Sequence, residues 1–171
     1  MTKRRKQQGE AKLDGTRGMA QWKAIYQAYN AIFNLAELTL LPQRLSLPQI
    51  YLLGVLKSAG GMLTTGEISR AMVRQARTEM VDRLEEPGLV ERVFDRRDRR
   101  KVWVRLTEKG ERKFAEAFPV ANRLAEELSA VLTDQELQDL QAKIEKLRSA
   151  ATDRLDAVLT SSGGRLYGRG V

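Results

Sequence analysis

The side chains best suited to chemistry are a run of cations between two apolar segments, where residues 95–101 read DRRDRRK. Guanidinium groups bind phosphate oxygens and are attracted into narrow minor grooves of duplex DNA. A segment with this many charges is too polar to bury, so it should form an exposed loop. The run predicts a polyanion-binding loop of Arg96, Arg97, Asp98, Arg99, Arg100 and Lys101, in which Asp98 holds a neighbouring arginine in position. A basic loop that is merely solvated is the alternative.

Residue types that many catalytic sites need are missing, because the sequence has no cysteine and no histidine. Their absence excludes disulfides, thiol redox sensing, Cys/His zinc sites, cysteine nucleophiles and Ser-His-Asp triads. The aspartates and glutamates stand among lysines and arginines at helix-surface spacing, which is typical of a solvated face. We therefore expect no enzyme activity, no catalytic residues, no metal site and no cofactor.

The chain is strongly basic, with a formal net charge of +8. This charge favours polyanionic partners, but alone it does not separate DNA, RNA and anionic membranes. Of three basic clusters, those at residues 70–77 and 96–101 lie inside a folded pattern, and the third is at residues 3–6. No apolar run approaches the roughly 20 residues that cross a membrane, and no apolar segment follows the basic N-terminus. A cytoplasmic protein without a membrane partner is expected.

A second polar surface precedes the basic loop, on a helix expected from about residue 74 to residue 86. Pro87 and Gly88 stop this helix, since proline cannot continue it and glycine readily adopts positive φ. At about 100° per residue, its apolar side is Val73, Ala76, Met80 and Leu84. Gln75, Thr78 and Asp82 lie opposite. The candidate contacts on this helix are Arg74, Gln75, Arg77, Thr78, Glu79 and Arg83.

Short elements surround these two surfaces. A capping box at Thr64 and Glu67 opens a helix whose buried side should be Ile68 and Ala71. Three segments read as strands: residues 62–64, 89–94 and 102–106. A short helix, an exposed polar helix and a basic β-hairpin in this order predict a winged helix-turn-helix, which suits duplex DNA because a helix fits the major groove. A winged helix that contacts proteins is the alternative.

Long amphipathic helices flank this unit. Apolar residues recur at three- and four-residue steps from Met19 to Leu40, and again from Leu137 to Val158 over more than five turns. Capping boxes at Ser46 and Thr133 open further helices, and a bend is expected at Pro119. The last stripe exceeds what one small domain can cover, so part of it should meet a partner.

The predicted fold class is therefore mostly α with a small β-hairpin wing (α+β), a winged helix-turn-helix with N- and C-terminal dimerisation helices. The basic arm has two readings, a solubilising tail or a DNA contact. The expected domains are a basic flexible arm (1–18), an N-terminal dimerisation helix (19–44), the winged helix-turn-helix lobe (45–107), C-terminal dimerisation helices (108–159) and a disordered tail (160–171).

Three segments carry a family resemblance: residues 84–92 (LEEPGLVER), 95–100 (DRRDRR) and 106–110 (LTEKG). In order and spacing they resemble the signature of the MarR family, and the similarity extends from about Leu45 to Gly110. The resemblance implies a bacterial or archaeal transcriptional regulator, a repressor, which is nucleoid-associated when bound. It also implies a homodimer joined by the first and last two helices, with double-stranded DNA as partner. A two-fold dimer predicts a palindromic operator. Arg100 takes the place of the family's wing arginine.

The chain departs from the family pattern at two places. Arg96 stands where the family often has proline, which adds charge to the wing. From Glu67 to Leu84 the chain is about two residues shorter than the family pattern. Two residues removed inside a helix would rotate its face by about 200°, so we place the shortening in the turn around Val73.

The resemblance further implies a small aromatic or phenolic effector between the dimerisation helices and the DNA-binding lobe. Candidate pocket residues are Trp22, Tyr26, Tyr29, Phe33 and Tyr51. Ordinary core packing is the other reading of these aromatic side chains. A non-specific architectural DNA-binding protein of the nucleoid, without a ligand, is the alternative function.

Overall fold

The computed structural model describes residues 17–72, 77–95 and 101–161. These residues form helices and a small sheet, as the predicted fold class requires. The helices are α1 (Arg17–Leu40), α2 (Leu47–Ser58), α3 (Thr65–Ala71), α4 (Arg77–Glu85), α5 (Glu108–Ser129) and α6 (Asp134–Ser161), with a 3-10 turn at Leu41–Gln43. The strands are β1 (Met62–Thr64), β2 (Val90–Phe94) and β3 (Val102–Leu106). The chain divides into two compact units, Met1–Leu124 and Ala125–Val171.

Local hydrogen bonds begin three of the helices where the sequence predicts them. At α2 the Gln49 amide donates to Ser46 Oγ, and the Ser46 amide donates to Gln49 Oε1. The same reciprocal pair joins Thr64 and Glu67 at α3. Thr133 and Glu136 repeat it at α6, where the Thr133 amide lies 2.8 Å from Glu136 Oε2. These bonds satisfy amides that lack a partner in the first helical turn.

The sheet is antiparallel, with strand order β1-β3-β2. Val104 of the central strand faces Leu63 on one side and Arg92 on the other. The hairpin of β2 and β3 continues one step past the strands, since the Asp95 amide donates to the Lys101 carbonyl at 3.1 Å. The two residues at the ends of the basic run, Asp95 and Lys101, are therefore hydrogen-bonded neighbours at the end of the hairpin.

The core of the first unit joins α2, α3 and α4 to the sheet. Its fully buried side chains include Leu53, Leu56, Ile68, Leu84 and Val104. The predicted burial of Ala71 is wrong, because α3 ends there and Ala71 is exposed. Met72, in an extended conformation, packs against the core in its place.

Two helix boundaries also differ from the predicted domains. Helix α1 begins at Arg17, inside the segment expected to be a flexible arm. Helix α6 continues through Thr160 and Ser161, which were assigned to the tail. Residues 1–16 and 162–171 lie outside the described part, so the remaining arm and tail predictions stay predictions.

Apolar side chains remain uncovered on the long helices. On α1, Ile25 and Ile32 are about half exposed, and on α6 so are Ile144 and Leu147. Among the described residues, no helix is both long and apolar enough to cross a membrane. The apolar stripes of α1 and α6 are therefore surface features of a single chain.

Candidate nucleic-acid interface

Helix α4 presents one polar face and one buried face. Glu79, Asp82 and Arg83 are exposed, whereas Val81 is 3% exposed and Leu84 is fully buried. The sequence placed the buried side around Met80 and Leu84 and missed Val81; Met80 is only partly buried. Helix α4 packs against β2, and Val81 belongs to the same buried cluster as Val90 of that strand.

A tight turn joins α4 to the hairpin. Gly88 has φ of 73°, a left-handed conformation that glycine adopts without strain. The Leu89 amide donates to the Leu84 carbonyl at 2.9 Å, and the Gly88 amide donates to the Glu85 carbonyl at 2.8 Å. This pair of bonds is the Schellman motif, and the buried Leu84 and Leu89 supply its usual apolar contact. Helix α4 ends before Pro87 and Gly88, as predicted, and the turn brings β2 directly beside it.

Arg92 connects β2 to α4 through two carboxylates. Its Nη2 lies 2.5 Å from Asp82 Oδ1, its Nη1 pairs with Glu85, and its backbone amide donates to Glu85 Oε1 at 2.9 Å. Burial lowers the pKa of Arg92, but the hydrogen bonds and charges of Asp82 and Glu85 outweigh it and raise the pKa above its ordinary value. The sequence motif that contains Arg92 does not indicate this contact with α4.

A second set of contacts fixes the turn after α4 to the start of α5. Thr107 Oγ1 lies 2.8 Å from the Gly88 carbonyl oxygen and accepts a hydrogen bond from the Gly110 amide at 3.0 Å. Lys109 Nζ donates to the Pro87 carbonyl at 2.6 Å. A Cβ on Gly110 would lie 2.0 Å from the Leu89 carbonyl oxygen. The segment LTEKG is therefore a close backbone contact between α5 and the turn of α4.

Several predicted contact residues fall outside the described part of the chain. Of the α4 candidates, Arg74 and Gln75 lie outside it, and Arg77 and Thr78 are described only as backbone in the first turn. Glu79 and Arg83 are both exposed and form an i,i+4 ion pair. The shortening near Val73 also falls outside the described residues, so the base-reading assignment stays a prediction.

The wing is described at its base. Lys101 is exposed, and the outer face of the hairpin carries a cross-strand ion pair in which Arg105 Nε lies 2.6 Å from Glu91 Oε1. The hydrogen bond and charge of Glu91 raise the pKa of Arg105. The remaining predicted wing residues lie outside the described part: Arg96, Arg97, Asp98, Arg99 and Arg100.

The aromatic side chains proposed for an effector pocket lie mostly at the surface of the single chain. Trp22 is 65% exposed, Tyr26, Tyr29 and Tyr51 are also exposed, and Phe33 is partly buried. The rings of Tyr29 and Phe33 stack with centroids 5.6 Å apart. Trp22, Tyr26, Tyr29 and Tyr51 are therefore not packed in the core of one chain. Across the described segments, no group of three or more acidic side chains could hold a metal ion.

Comparison with known proteins assigns the family. A family model described as the MarR family matches residues 45–101. The chain is 30% identical over 107 residues to the transcriptional regulator HosA of Escherichia coli O111:H-. The aligned residues span 62% of this chain and 79% of HosA. The chain belongs to the MarR family.

Two further regulators are similar to this chain, one in sequence and one in fold. The HTH-type transcriptional repressor MdtR of Bacillus subtilis is 31% identical over 104 residues, 60% of this chain and 67% of MdtR. A crystal structure of the organohalide-sensing RdhR regulator in its 2,4-dichlorophenol-bound form has a TM-score of 0.76 at 25% identity, over 84% of this chain and 86% of that one.

A structure with DNA is also similar. A mutant MarR from E. coli complexed with operator DNA has a TM-score of 0.66 at 26% identity, over 73% of this chain and 91% of that one. The predicted family and fold class are confirmed, and the protein is a DNA-binding transcriptional regulator of the MarR family. HosA, MdtR and RdhR are transcriptional regulators.

Proposed function

We propose that this MarR-family protein is a repressor that binds a palindromic operator as a homodimer. The observation that carries the proposal is the arrangement of α4 and the hairpin. The exposed polar face of α4, with Glu79, Asp82 and Arg83, stands beside a hairpin whose loop sequence is strongly basic. An α-helix of this size fits the major groove, where each base pair has a distinct pattern of donors and acceptors.

In the proposed complex, α4 and the residues before it read bases, and the wing holds phosphates and the minor groove. The base-reading set is Arg74, Gln75, Arg77, Thr78, Glu79 and Arg83. The wing set is Arg96, Arg97, Asp98, Arg99, Arg100 and Lys101. The repressor MdtR and the operator-bound MarR structure support this reading by similarity.

The homodimer is supported by the apolar surface that a single chain leaves exposed. Many large apolar side chains on α1 and α6, among them Trp22, Ile144 and Leu147, are 38–71% exposed, which is unusual for a monomeric protein. A two-fold axis would place two copies of α4 about one DNA turn apart, roughly 34 Å or 10 base pairs. That spacing is why we expect a palindromic site. The proposed dimerisation helices are residues 19–44 and 108–159.

A small phenolic or aromatic effector is the finer part of the proposal. The RdhR structure, similar over most of this chain, holds 2,4-dichlorophenol. In this chain the candidate side chains are Trp22, Tyr26, Tyr29, Phe33 and Tyr51, which are largely uncovered in one subunit and offer flat apolar surface with hydroxyl groups. When the protein is titrated with chlorophenols and aromatic acids, the change in its tryptophan fluorescence should saturate.

The fluorescence assignment has an internal control, because Trp22 and Trp103 are the two tryptophans of the chain. Trp22→Phe should abolish the saturable response, and Trp103→Phe should preserve it. A flat titration would favour a regulator without a ligand. A response that persists in Trp22→Phe and is lost in Trp103→Phe would place the ligand away from Trp22.

Selection of bound fragments from random duplex DNA tests the main proposal. We expect enrichment of one palindromic sequence whose half-sites are about one helical turn apart. Binding without enrichment would instead favour the non-specific architectural protein, which the net charge of +8 alone also allows. No binding to any duplex at modest ionic strength would contradict both.

A further inference from the structure

Arg92 differs from the other described arginines near α4 in its burial and its partners. Its side chain is 22% exposed, whereas Arg83 and Arg105 are 67% and 56% exposed. Arg83 and Arg105 each pair with one glutamate close by on the same helix or hairpin. Arg92 pairs with two carboxylates on a different element, so its guanidinium is already occupied on the side that faces α4.

The geometry of the pair suits a planar guanidinium. Asp82 and Glu85 are three residues apart on α4, so both carboxylates lie along one edge of the helix. The two terminal nitrogens of Arg92 divide between them, and the Arg92 backbone amide adds a bond to Glu85. A lysine ammonium is a point charge and cannot reproduce this fork.

We propose that Arg92 is a positioning residue that holds α4 against the hairpin, so that the reading helix and the wing meet DNA as one unit. It does not contact DNA itself. The part that concerns DNA rests on the proposed function.

Amide hydrogen exchange tests the clamp without DNA. In Arg92→Gln, we expect the amides of α4 to exchange about tenfold faster relative to those of α2, since local opening becomes easier. Arg105→Gln is the matched control, because it breaks the neighbouring Arg105–Glu91 pair, which does not involve α4. If α4 exchanges equally in the wild type and Arg92→Gln, the proposal is overturned, whatever the protein does with DNA.

Binding to the selected operator and to a random duplex tests the consequence. Arg92→Gln should lose about tenfold in operator affinity, the worth of roughly one misaligned base contact. Its affinity for random DNA should change by less than about threefold, and the salt slope should stay constant. Arg105→Gln should leave all three quantities unchanged. A phosphate-binding arginine would instead lower the salt slope by about 0.9 and weaken both duplexes.

Each outcome decides one question. A lower salt slope, or unchanged operator affinity despite faster exchange of α4, overturns the positioning role. If the wild type prefers no duplex, the proposed function fails, and the exchange experiment alone decides whether Arg92 holds α4. If Arg92→Gln does not fold, Arg92→Lys keeps the charge and takes the same tests, with the same losses expected.

Discussion

Single side chains of the proposed interface do two kinds of work. Under the proposed function, cations of the wing bind phosphates and groove edges and set the affinity for any duplex, whereas polar side chains at α4 contact bases and set sequence preference. Separate substitutions should therefore give separate signatures in binding experiments.

Arg100→Ala should weaken binding to operator and random duplexes alike, by about tenfold at modest salt, because one phosphate or minor-groove contact is lost. The slope of log affinity against log salt should fall by about 1. Fluorescence anisotropy at several salt concentrations measures both quantities. Equal binding by Arg100→Ala and the wild type at low and high salt would show that the wing assignment is wrong.

Gln75→Ala should change which sequences are bound, with little effect on random DNA. Loss of one base contact costs about 1–3 kcal/mol of discrimination at the position it reads. Thr78→Ala should act in the same way at another position. Repeating the selection with each variant measures this, and an unchanged consensus in both variants would remove these residues from the reading surface.

The basic run and the polar helix of the proposed interface could be found in the sequence, but the two partners of Arg92 could not. The basic run and the polar helix are visible in one dimension because charge and periodicity are local. Arg92 meets Asp82 and Glu85, ten and seven residues earlier, only because the Gly88 turn folds β2 back beside α4. No spacing rule in the sequence gives that contact.

Among the elements, α4 and the turn that follows it contact two neighbours, β2 and the start of α5. Arg92 ties it to β2, and Thr107, Lys109 and Gly110 tie the following turn to the first turn of α5. Since α5 is also a proposed dimerisation helix, a displacement at its start would reach the turn at the end of α4 through direct contacts.

Gly110→Ala tests the contact between α5 and that turn. Its Cβ would lie 2.0 Å from the Leu89 carbonyl oxygen and 2.7 Å from Leu106 Cδ1, so the backbone must shift. We expect a loss of about 3 kcal/mol in the free energy of unfolding, measured with urea. Gly66→Ala is the control, because its Cβ would make only an ordinary contact at 3.9 Å. Equal stability of the two variants would contradict the close contact.

Helix starts that depend on local hydrogen bonds can be predicted from the sequence. Which side of a helix is buried is harder to predict, because it depends on packing against other elements. The capping boxes at Ser46, Thr64 and Thr133 lie where the sequence places them. The buried side of α4 differs from the prediction at Val81, because the periodicity of a helix alone does not show which side packs against β2. The predicted burial of Ala71 is also wrong, since α3 ends there and the extended Met72 packs against the core instead.

In the whole molecule, the exposed apolar stripes of α1 and α6 form the proposed dimer interface. Ile144→Glu on α6 should dissociate the proposed dimer, because it puts a charge into an apolar interface, at a cost of about 2 kcal/mol or more. Operator affinity should fall with it. Ser149→Glu adds the same charge at an exposed position on the opposite side of α6 and should leave the dimer intact.

Sedimentation velocity over a concentration series measures the mass of both variants. A wild type that is monomeric at micromolar concentration, or an Ile144→Glu variant as dimeric as Ser149→Glu, would contradict the assignment of α6 to the interface. That α6 leaves an apolar stripe uncovered could be predicted, since the stripe is longer than one small domain covers. The surface that covers this stripe could not be predicted, because the apolar pattern of one chain does not show what packs against it.

Footprinting of the protein on its selected duplex tests the central claim most directly. If α4 and the wing engage one duplex as part of a two-fold dimer, protection should be symmetric, with two major-groove patches about 10 base pairs apart and protected minor grooves beside them. A monomeric protein that leaves the duplex unprotected at modest ionic strength would contradict it.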